Sequence, residues 1–267
     1  MNKLRYGQML MKKDIKGRSI ISSLPQDTLV EVAIQLASKS STPLDNIRSL
    51  RATCKSFHRA SRDKLVGRSM AVDKEEKRWW EENNSYLALL RNCADCGNLE
   101  AHFILGVEEL YNSRRAVSGL QHLQLAMDGG HLTAAYFMGV VLFRQAATRS
   151  DAMEILNRVS SGDLSNTAAD VAECTISGNP IIDRCREEAV KMVSRNWKKE
   201  WEMELRSPCT HPLCGAAAKS RDQHWVKRDC LPRAFCSEFC RWAYECHSFF
   251  EKINWRVCLV VVTGRNS

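Results

Sequence analysis

An internal repeat limits what this chain can fold into more than any other feature of its sequence. Segments 97–106 and 130–139 share the pattern Gly-x-x-x-Ala-x-aromatic-x-x-Gly, and apolar positions further along the chain continue the match. A period in the thirties with this pattern is typical of stacked helix pairs. The small residues let two helices approach closely, and the aromatic residue fills the space between neighbouring pairs. The matched pairs are Gly97 with Gly130, Ala101 with Ala134, Phe103 with Tyr136, and Gly106 with Gly139.

The repeat pattern resembles the SEL-like branch of tetratricopeptide repeats. About two and a half units fit into residues 86–163, which is fewer than such a stack normally needs. Flanking helices must therefore cap the stack, and we expect a long helix from Ile181 to Leu205 to serve as one cap. The resemblance implies a concave face that binds a protein partner. His102, His122 and His131 lie within the array, and we predict packed or solvated side chains at these positions.

A second helical pattern begins near the N-terminus. Ser23 can cap a helix, and Pro25 can occupy its first turn, where a missing N–H costs little. Apolar residues then recur at i, i+3, i+4 and i+7, which is the period of one helix face. They are Leu29, Val32, Ala33 and Leu36. The residues of a second apolar helix face follow directly, and they are Leu44, Ile47, Leu50 and Cys54.

The order Leu-Pro-x-Asp-x-Leu, a short loop, and Leu-Arg-x-x-Cys-Lys-x-Phe resembles the F-box over about residues 22–70. The F-box is a three-helix module that docks onto a Skp-type adaptor and, through it, onto a cullin. A bare amphipathic helix pair would instead use Leu29 and Leu36 as core residues alone. The partner-binding residues that the resemblance implies are Leu24, Pro25, Leu29, Val32, Leu36, Leu50, Cys54 and Phe57.

The 12 cysteines are unevenly distributed, and half of them lie within residues 209–246. Cys209 and Cys214 form one close pair, and Cys236 and Cys240 form another. Two separated pairs of thiolates can close a tetrahedral zinc site, while reduced thiols that only pack are the alternative. A helix that begins between Cys236 and Cys240 would place both sulfurs near its N-terminus, where thiolates are favoured. The spacing therefore predicts one closed, structural zinc site in a small module of its own.

The sequence Phe-Cys-Ser-x-x-Cys at Cys236 and Cys240 resembles the second half of a MYND-type zinc finger, a family with two interleaved zinc sites. The resemblance assigns Cys209, Cys214, Cys236 and Cys240 to the first site. For the second site Cys230 matches, but the Cys-x-x-Cys of the family is not present here. The remaining candidates for a second zinc are His224, Cys246 and His247.

The composition favours a mostly α-helical protein, because helix formers dominate and the 267 residues include only 6 Pro and 13 Gly. The net charge of +8 lies largely in the N-terminal leader, and a basic leader without an interleaved aromatic platform argues against nucleic-acid binding. The apolar run at residues 258–262 is far too short to span a membrane. Without a secretory signal, the cysteines should be reduced, which indicates the nucleus or cytoplasm.

Plants have a protein family with an F-box, SEL-like repeats and a MYND-like finger in this order, and the chain resembles a shortened member. The resemblance implies a non-enzymatic adaptor of a Skp–cullin–F-box ubiquitin ligase that binds an unknown target protein. The alternative is a zinc-finger interaction protein or transcriptional co-regulator without a link to a ligase. The predicted segments are a basic leader (1–21), an F-box-like domain (22–70), a linker helix and repeats (71–163), a loop and capping helix (164–207), a zinc finger (208–250) and a tail (251–267).

Overall fold

The computed structural model describes residues 24–75, 83–111, 115–163, 179–196 and 235–253, and the regular elements in these ranges are all helical. This confirms the prediction of a mostly α-helical chain. The chain divides into two compact units, residues 1–98 and residues 99–267. In the described ranges, no helix is both long enough and apolar enough to cross a membrane. The predicted basic leader and the greater part of the predicted tail lie outside these ranges.

The first unit is a cluster of short helices. Their bounds are α1 (Gln26–Lys39), α2 (Pro43–Thr53), α3 (Lys55–Ala60), α4 (Lys64–Arg68), a 3-10 turn (Val72–Glu75) and α5 (Asn83–Asp95). Helices α2, α3 and α4 all pack against α1. Helix α5 packs against α4, and the predicted apolar residues Tyr86, Leu90 and Cys93 of α5 are buried.

The core face of helix α1 agrees with the predicted apolar stripe at Leu29 and Ala33 but differs from it at Val32 and Leu36. Pro25 occupies the N-cap position and the helix begins at Gln26, while the predicted cap, Ser23, lies outside the described residues. The buried stripe is Leu29, Ala33 and Ala37 together with Val30, whereas Val32 keeps 39% of its surface exposed and Leu36 is half-buried. The correction has a packing reason, because the small Ala33 and Ala37 allow the neighbouring helices to approach closely.

Long-range hydrogen bonds hold the first unit together. The buried carboxylate of Glu75 accepts a hydrogen bond from the backbone N–H of Leu44 at 2.8 Å, and so caps the first turn of α2 from 31 residues away. Arg51 of α2 donates to the side-chain and backbone oxygens of Ser61 at 2.9 and 3.0 Å. These contacts fix the ends of α2 relative to the residues that follow α3.

The second unit is built from two helical hairpins and two further helices. Their bounds are α6 (Leu99–Tyr111), α7 (Ala116–Asp128), α8 (Leu132–Phe143), a 3-10 turn (Ala146–Thr148), α9 (Arg149–Ser161), α10 (Pro180–Asn196) and α11 (Glu238–Lys252). Helix α10 begins where the sequence predicts and buries the predicted Ile182, Cys185, Ala189 and Val193, while residues 197–205 lie outside the described ranges. Helix α11 matches the helix expected after Ser237, and Trp242 packs inward as predicted.

The repeat recurs in the backbone as well as in the sequence. Gly97 and Gly130 both adopt positive φ angles, 85° and 92°. In each turn the next residue donates its N–H to the carbonyl oxygen five residues earlier, at 3.1 Å from Asn98 and 3.0 Å from His131. Glycine takes this left-handed conformation without a steric cost, which explains why both units keep it.

The second glycine of each repeat lies where two helices meet. A Cβ atom added to Gly106 would lie 2.7 Å from Cγ of Leu123, and one added to Gly139 would lie 2.7 Å from Cγ of Leu156. The two contacts are equivalent, since the two glycines are one repeat period apart and so are the two leucines. The repeat pattern therefore predicted helix pairing correctly.

Replacing Gly139 by alanine should lower the free energy of unfolding by about 1–3 kcal/mol, because the added methyl group overpacks the contact with Leu156. Chemical denaturation measures the change. Leu156→Ala should cost less in the Gly139→Ala background than in the parent chain, since it relieves the crowding. Fully additive effects of the two substitutions would contradict this account.

Candidate functional site

The two cysteines of the predicted finger that the structure describes lie together at the start of α11. Cys236 precedes the helix and is exposed, while Cys240 lies in its first turn and is buried. Their Sγ atoms are 3.4 Å apart. The Oγ of Ser237 accepts a hydrogen bond from the backbone N–H of Cys240 at 3.2 Å and so caps the helix between the two sulfurs. The helix N-terminus therefore favours negative charge on this pair.

This pair fits half of a zinc site. Two sulfurs bound at 2.3 Å in a tetrahedron lie about 3.8 Å apart, so a small rotamer adjustment from the observed 3.4 Å would suffice. Cys209, Cys214, His224 and Cys230 lie outside the described residues. Within the described ranges, no group of three or more His, Cys, Asp or Glu side chains could hold a metal ion. A complete site at this pair would need ligands from outside the described ranges.

The structure places Cys246 away from this pair. Cys246 is 1% exposed and belongs to the apolar core of the second unit. Burial, and next the charge of Glu245, raise the pKa of the Cys246 thiol well above its usual range. In the described part of the chain this thiol therefore packs among apolar side chains. The neighbouring His247 is half-buried.

Helix α11 packs into the apolar core of the repeats. Its buried aromatic rings join the same apolar cluster as the rings of α6 and α8. The ring of Phe249 lies 6.0 Å from that of Tyr136 and 5.9 Å from that of Phe137 in edge-on contacts. The helix of the predicted finger thus shares its hydrophobic core with the repeats, while residues 208–234 of the finger lie outside the described ranges.

A buried ionic network joins α8, α10 and α11. The Arg186 guanidinium donates two hydrogen bonds of 2.6 Å to the two carboxylate oxygens of Glu245, and the Tyr136 hydroxyl donates to the same carboxylate at 2.7 Å. Asp183 lies 2.8 Å from Arg186 on the other side. Burial alone would lower the pKa of Arg186, but its hydrogen bond to Glu245 and the nearby negative charges raise it. Burial and Glu245 also raise the pKa of the Tyr136 hydroxyl well above its usual range.

Two further helices of the second unit pack against the helical hairpins. Helix α10 packs against both α6 and α8, the first helices of the two hairpins, and α11 packs against α8, α9 and α10. Nine of the twelve residues of α8 are buried as a result. The predicted concave, partner-binding face of the repeats stays a prediction.

The histidines of the repeats form hydrogen bonds within the second unit. His131 caps α8, since its Nδ1 accepts from the backbone N–H of Ala134 at 3.1 Å and its Nε2 lies 2.8 Å from the carboxylate of Glu100. The Nδ1 atoms of His102 and His122 lie 2.8 Å apart. These contacts agree with the predicted packing role.

The predicted partner-binding residues of the first unit divide into two groups. Leu24 and Val32 each keep 39% of their surface exposed, and Pro25 is exposed as well. Leu36, Leu50 and Cys54 are half-buried. Leu29 and Phe57 are 2% and 9% exposed and belong to the core, so they support the surface from below.

Sequence reasoning missed several residues that the structure brings forward. Leu65 of α4 is 51% exposed although it is large and apolar. Arg186 contacts Glu245, which lies 59 residues further along the chain. Asn157 of α9 contacts Trp242, which lies 85 residues further along. An isolated asparagine and two charged residues on amphipathic helices carry no local signal of such partners.

The chain is similar to known plant proteins in its helical repeats and over part of its length. Residues 72–192 match the family of plant tetratrico peptide repeats. Three Arabidopsis thaliana proteins named as F-box proteins are similar to the chain. The first is 29% identical over 171 residues, covering 64% of this chain and 56% of its own. The second is 27% identical over 130 residues, with 48% and 33% covered, and the third is 29% identical over 125 residues, with 45% and 35% covered.

The chain thus spans about half the length of the first of these relatives and about a third of the other two. No solved structure matches the chain. The repeat match begins in the 3-10 turn of the first unit and ends in α10, and so takes in both hairpins. The chain is therefore similar to plant F-box proteins over part of its length, and its helical repeats are similar to the plant tetratrico peptide repeats.

Proposed function

We propose that the chain is the substrate-recognition adaptor of a Skp–cullin–F-box ubiquitin ligase in the nucleus or cytoplasm. Residues 22–70 bind the Skp-type adaptor, and the second unit binds a target protein. The observation that carries this proposal is the exposure of two large apolar side chains, Leu24 and Val32, in the segment that resembles the F-box. Exposed apolar side chains of this size mark protein-binding surfaces when they occur together, and the names of the relatives point to the same partner.

The proposed adaptor face uses one side of α1. Val32 and Leu36 are four residues apart and so lie on one face of the helix, while Leu24 precedes the helix by two residues. Leu29 points into the core and holds the helix in place. The ubiquitin transfer itself belongs to partner subunits, so the proposed role of this chain is binding without catalysis.

The double substitution of Leu24 and Val32 by alanine should abolish binding of a plant Skp-type adaptor. Loss of a central apolar anchor costs about 2 kcal/mol, roughly a 30-fold loss of affinity for each residue. Co-purification of the adaptor and cullin with the tagged full chain measures the effect. Leu125→Ala is the matched control, because Leu125 is 53% exposed but lies in the repeats.

Unchanged adaptor binding by the double variant would contradict the proposed interface. Failure of the parent chain to bind any Skp-type adaptor would favour the alternative function, a zinc-finger interaction protein or co-regulator without a ligase.

We also propose that Cys236 and Cys240 bind one structural zinc ion together with Cys209 and Cys214. These cysteines would belong to a MYND-like finger that follows SEL-like repeats. The support is the 3.4 Å separation of the two sulfurs at a capped helix N-terminus. Zinc would hold these thiolates in a closed tetrahedron. A second zinc would draw its ligands from Cys230, His224, Cys246 and His247.

Metal analysis of the purified chain should give one zinc per molecule, and Cys236→Ser should remove it. Zinc should also protect Cys236 from alkylation, although this cysteine is exposed. Cys185 is the internal reference, because it is buried and burial raises the pKa of its thiol to about 11. A content near two would support the second site, and a content near zero would show that the cysteines only pack.

A further inference from the structure

The cysteine pair of α11 is held by side chains of the second repeat hairpin. Asn157 of α9 accepts a hydrogen bond from the indole N–H of Trp242 at 3.1 Å and donates one to the carboxylate of Glu238 at 3.3 Å. Glu238 and Trp242 alternate in sequence with the two cysteines. One asparagine thus ties both ends of the first turn of α11 to the repeat.

A stack of rings fixes the same turn from its other side. Phe239 precedes Cys240 and stacks on Phe143 of α8, with ring centroids 5.6 Å apart. The Arg149 guanidinium lies 5.5 Å from the Phe143 centroid and 5.4 Å from that of Phe239, and its Nε donates to the Phe143 carbonyl oxygen at 3.2 Å. Residues 238, 239 and 242 are therefore all held by α8 and α9.

The buried end of this arrangement depends on Asn157. Trp242 is 1% exposed, and a buried indole N–H needs an acceptor. The position equivalent to Asn157 in the preceding repeat is Gln124, which is exposed and, among the described residues, donates a hydrogen bond to Asp128 of its own helix at 2.8 Å. The contact to α11 is thus specific to the second hairpin.

We infer that the second repeat hairpin is part of the metal module: Asn157 positions the turn that carries Cys236 and Cys240, so metal binding at this pair and folding of the repeats are coupled. The inference rests on the proposed zinc site. Ligands that are already ordered lose less conformational entropy when the metal binds, which raises affinity. By linkage, metal that favours the docked α11 must stabilise α8 by the same coupling free energy.

The first test compares zinc affinity of the full-length chain, the Asn157→Ala variant and the Gln124→Ala control. Competition with a chromophoric chelator gives the affinity. Loss of a side chain that orients metal ligands typically weakens binding by 10-fold or more, so we expect ~10-fold weaker binding for Asn157→Ala and no change for Gln124→Ala. Phe239→Leu keeps the apolar side chain but removes the ring stack, and should also weaken zinc binding. Far-UV circular dichroism checks that each variant is folded.

The second test measures amide hydrogen exchange in residues 132–143 of α8, with and without chelator. Chelation should accelerate exchange in this helix, because α11 covers it, and the acceleration should be smaller in Asn157→Ala. If Asn157→Ala and Phe239→Leu both bind zinc as tightly as the parent chain, the inference is overturned, while the zinc site itself stands. The inference is also overturned if the chelator removes zinc from the parent chain but the amide exchange rates in α8 do not change. Absence of zinc uptake by the parent chain would overturn both the site and the coupling.

Discussion

The Arg186→Met variant should lose about 3–5 kcal/mol of the free energy of unfolding. Arg186 is 15% exposed and Glu245 only 8% exposed at their side chains, and the two form a bidentate pair. Methionine keeps much of the apolar volume but removes the positive charge, so the carboxylate of Glu245 remains buried without its main partner. Urea unfolding followed by circular dichroism measures the loss.

Arg184→Met is the matched control for this prediction. Arg184 lies two residues away on the same helix, is 56% exposed and approaches Glu188 only at 4.0 Å. Exposed ion pairs contribute between 0 and about 1 kcal/mol, so this variant should unfold almost like the parent chain. If both variants lose a similar free energy of unfolding, the net charge of the protein, and not the buried contact with Glu245, determines the effect.

Replacing Phe249 by alanine should also cost about 3–5 kcal/mol of the free energy of unfolding. Phe249 is fully buried, and its ring contacts those of Tyr136, Phe137 and Phe250 at centroid distances of 5.2 to 6.0 Å. Truncation leaves a cavity between α11 and α8 that rigid neighbouring rings cannot fill. Equilibrium denaturation of the full chain measures the effect.

Val117→Ala is the control for that substitution, because Val117 is 73% exposed on α7 and should change stability by less than about 0.5 kcal/mol. A loss below about 1 kcal/mol for Phe249→Ala would indicate that α11 does not depend on α8 for its core. Together, the Arg186 and Phe249 variants test the polar and the apolar half of the same helix contact.

The sequence predicted the helical hairpins well because their signals are local. Gly97 and Gly130 mark left-handed turns, and Gly106 and Gly139 mark close helix contacts, with the same spacing within each pair. A periodic pattern must be satisfied in every unit, so one sequence is enough to reveal it. The apolar stripes of α10 and α11 were readable for the same reason, since side chains three and four residues apart share a helix face.

The face of α1 was less predictable. Leu29 and Ala33 belong to the predicted stripe and are buried, but Val32 is exposed and Ala37 takes its place in the core. Both faces of this helix carry apolar residues, so the pattern alone could not choose between them. The neighbouring helices α2, α3 and α4 decide, because they close on the side where small residues permit contact.

The sequence by itself determined the helical class, the repeat and the cysteine spacing of this protein, because each depends on residues close together in the chain. Only the tertiary structure decided that α11 joins the repeat core, that Cys246 packs inside it, and that Asn157 meets Trp242 from 85 residues away. Such pairs form when chain closure brings distant helices together, and their net free energy depends on burial and on partners that no local pattern encodes.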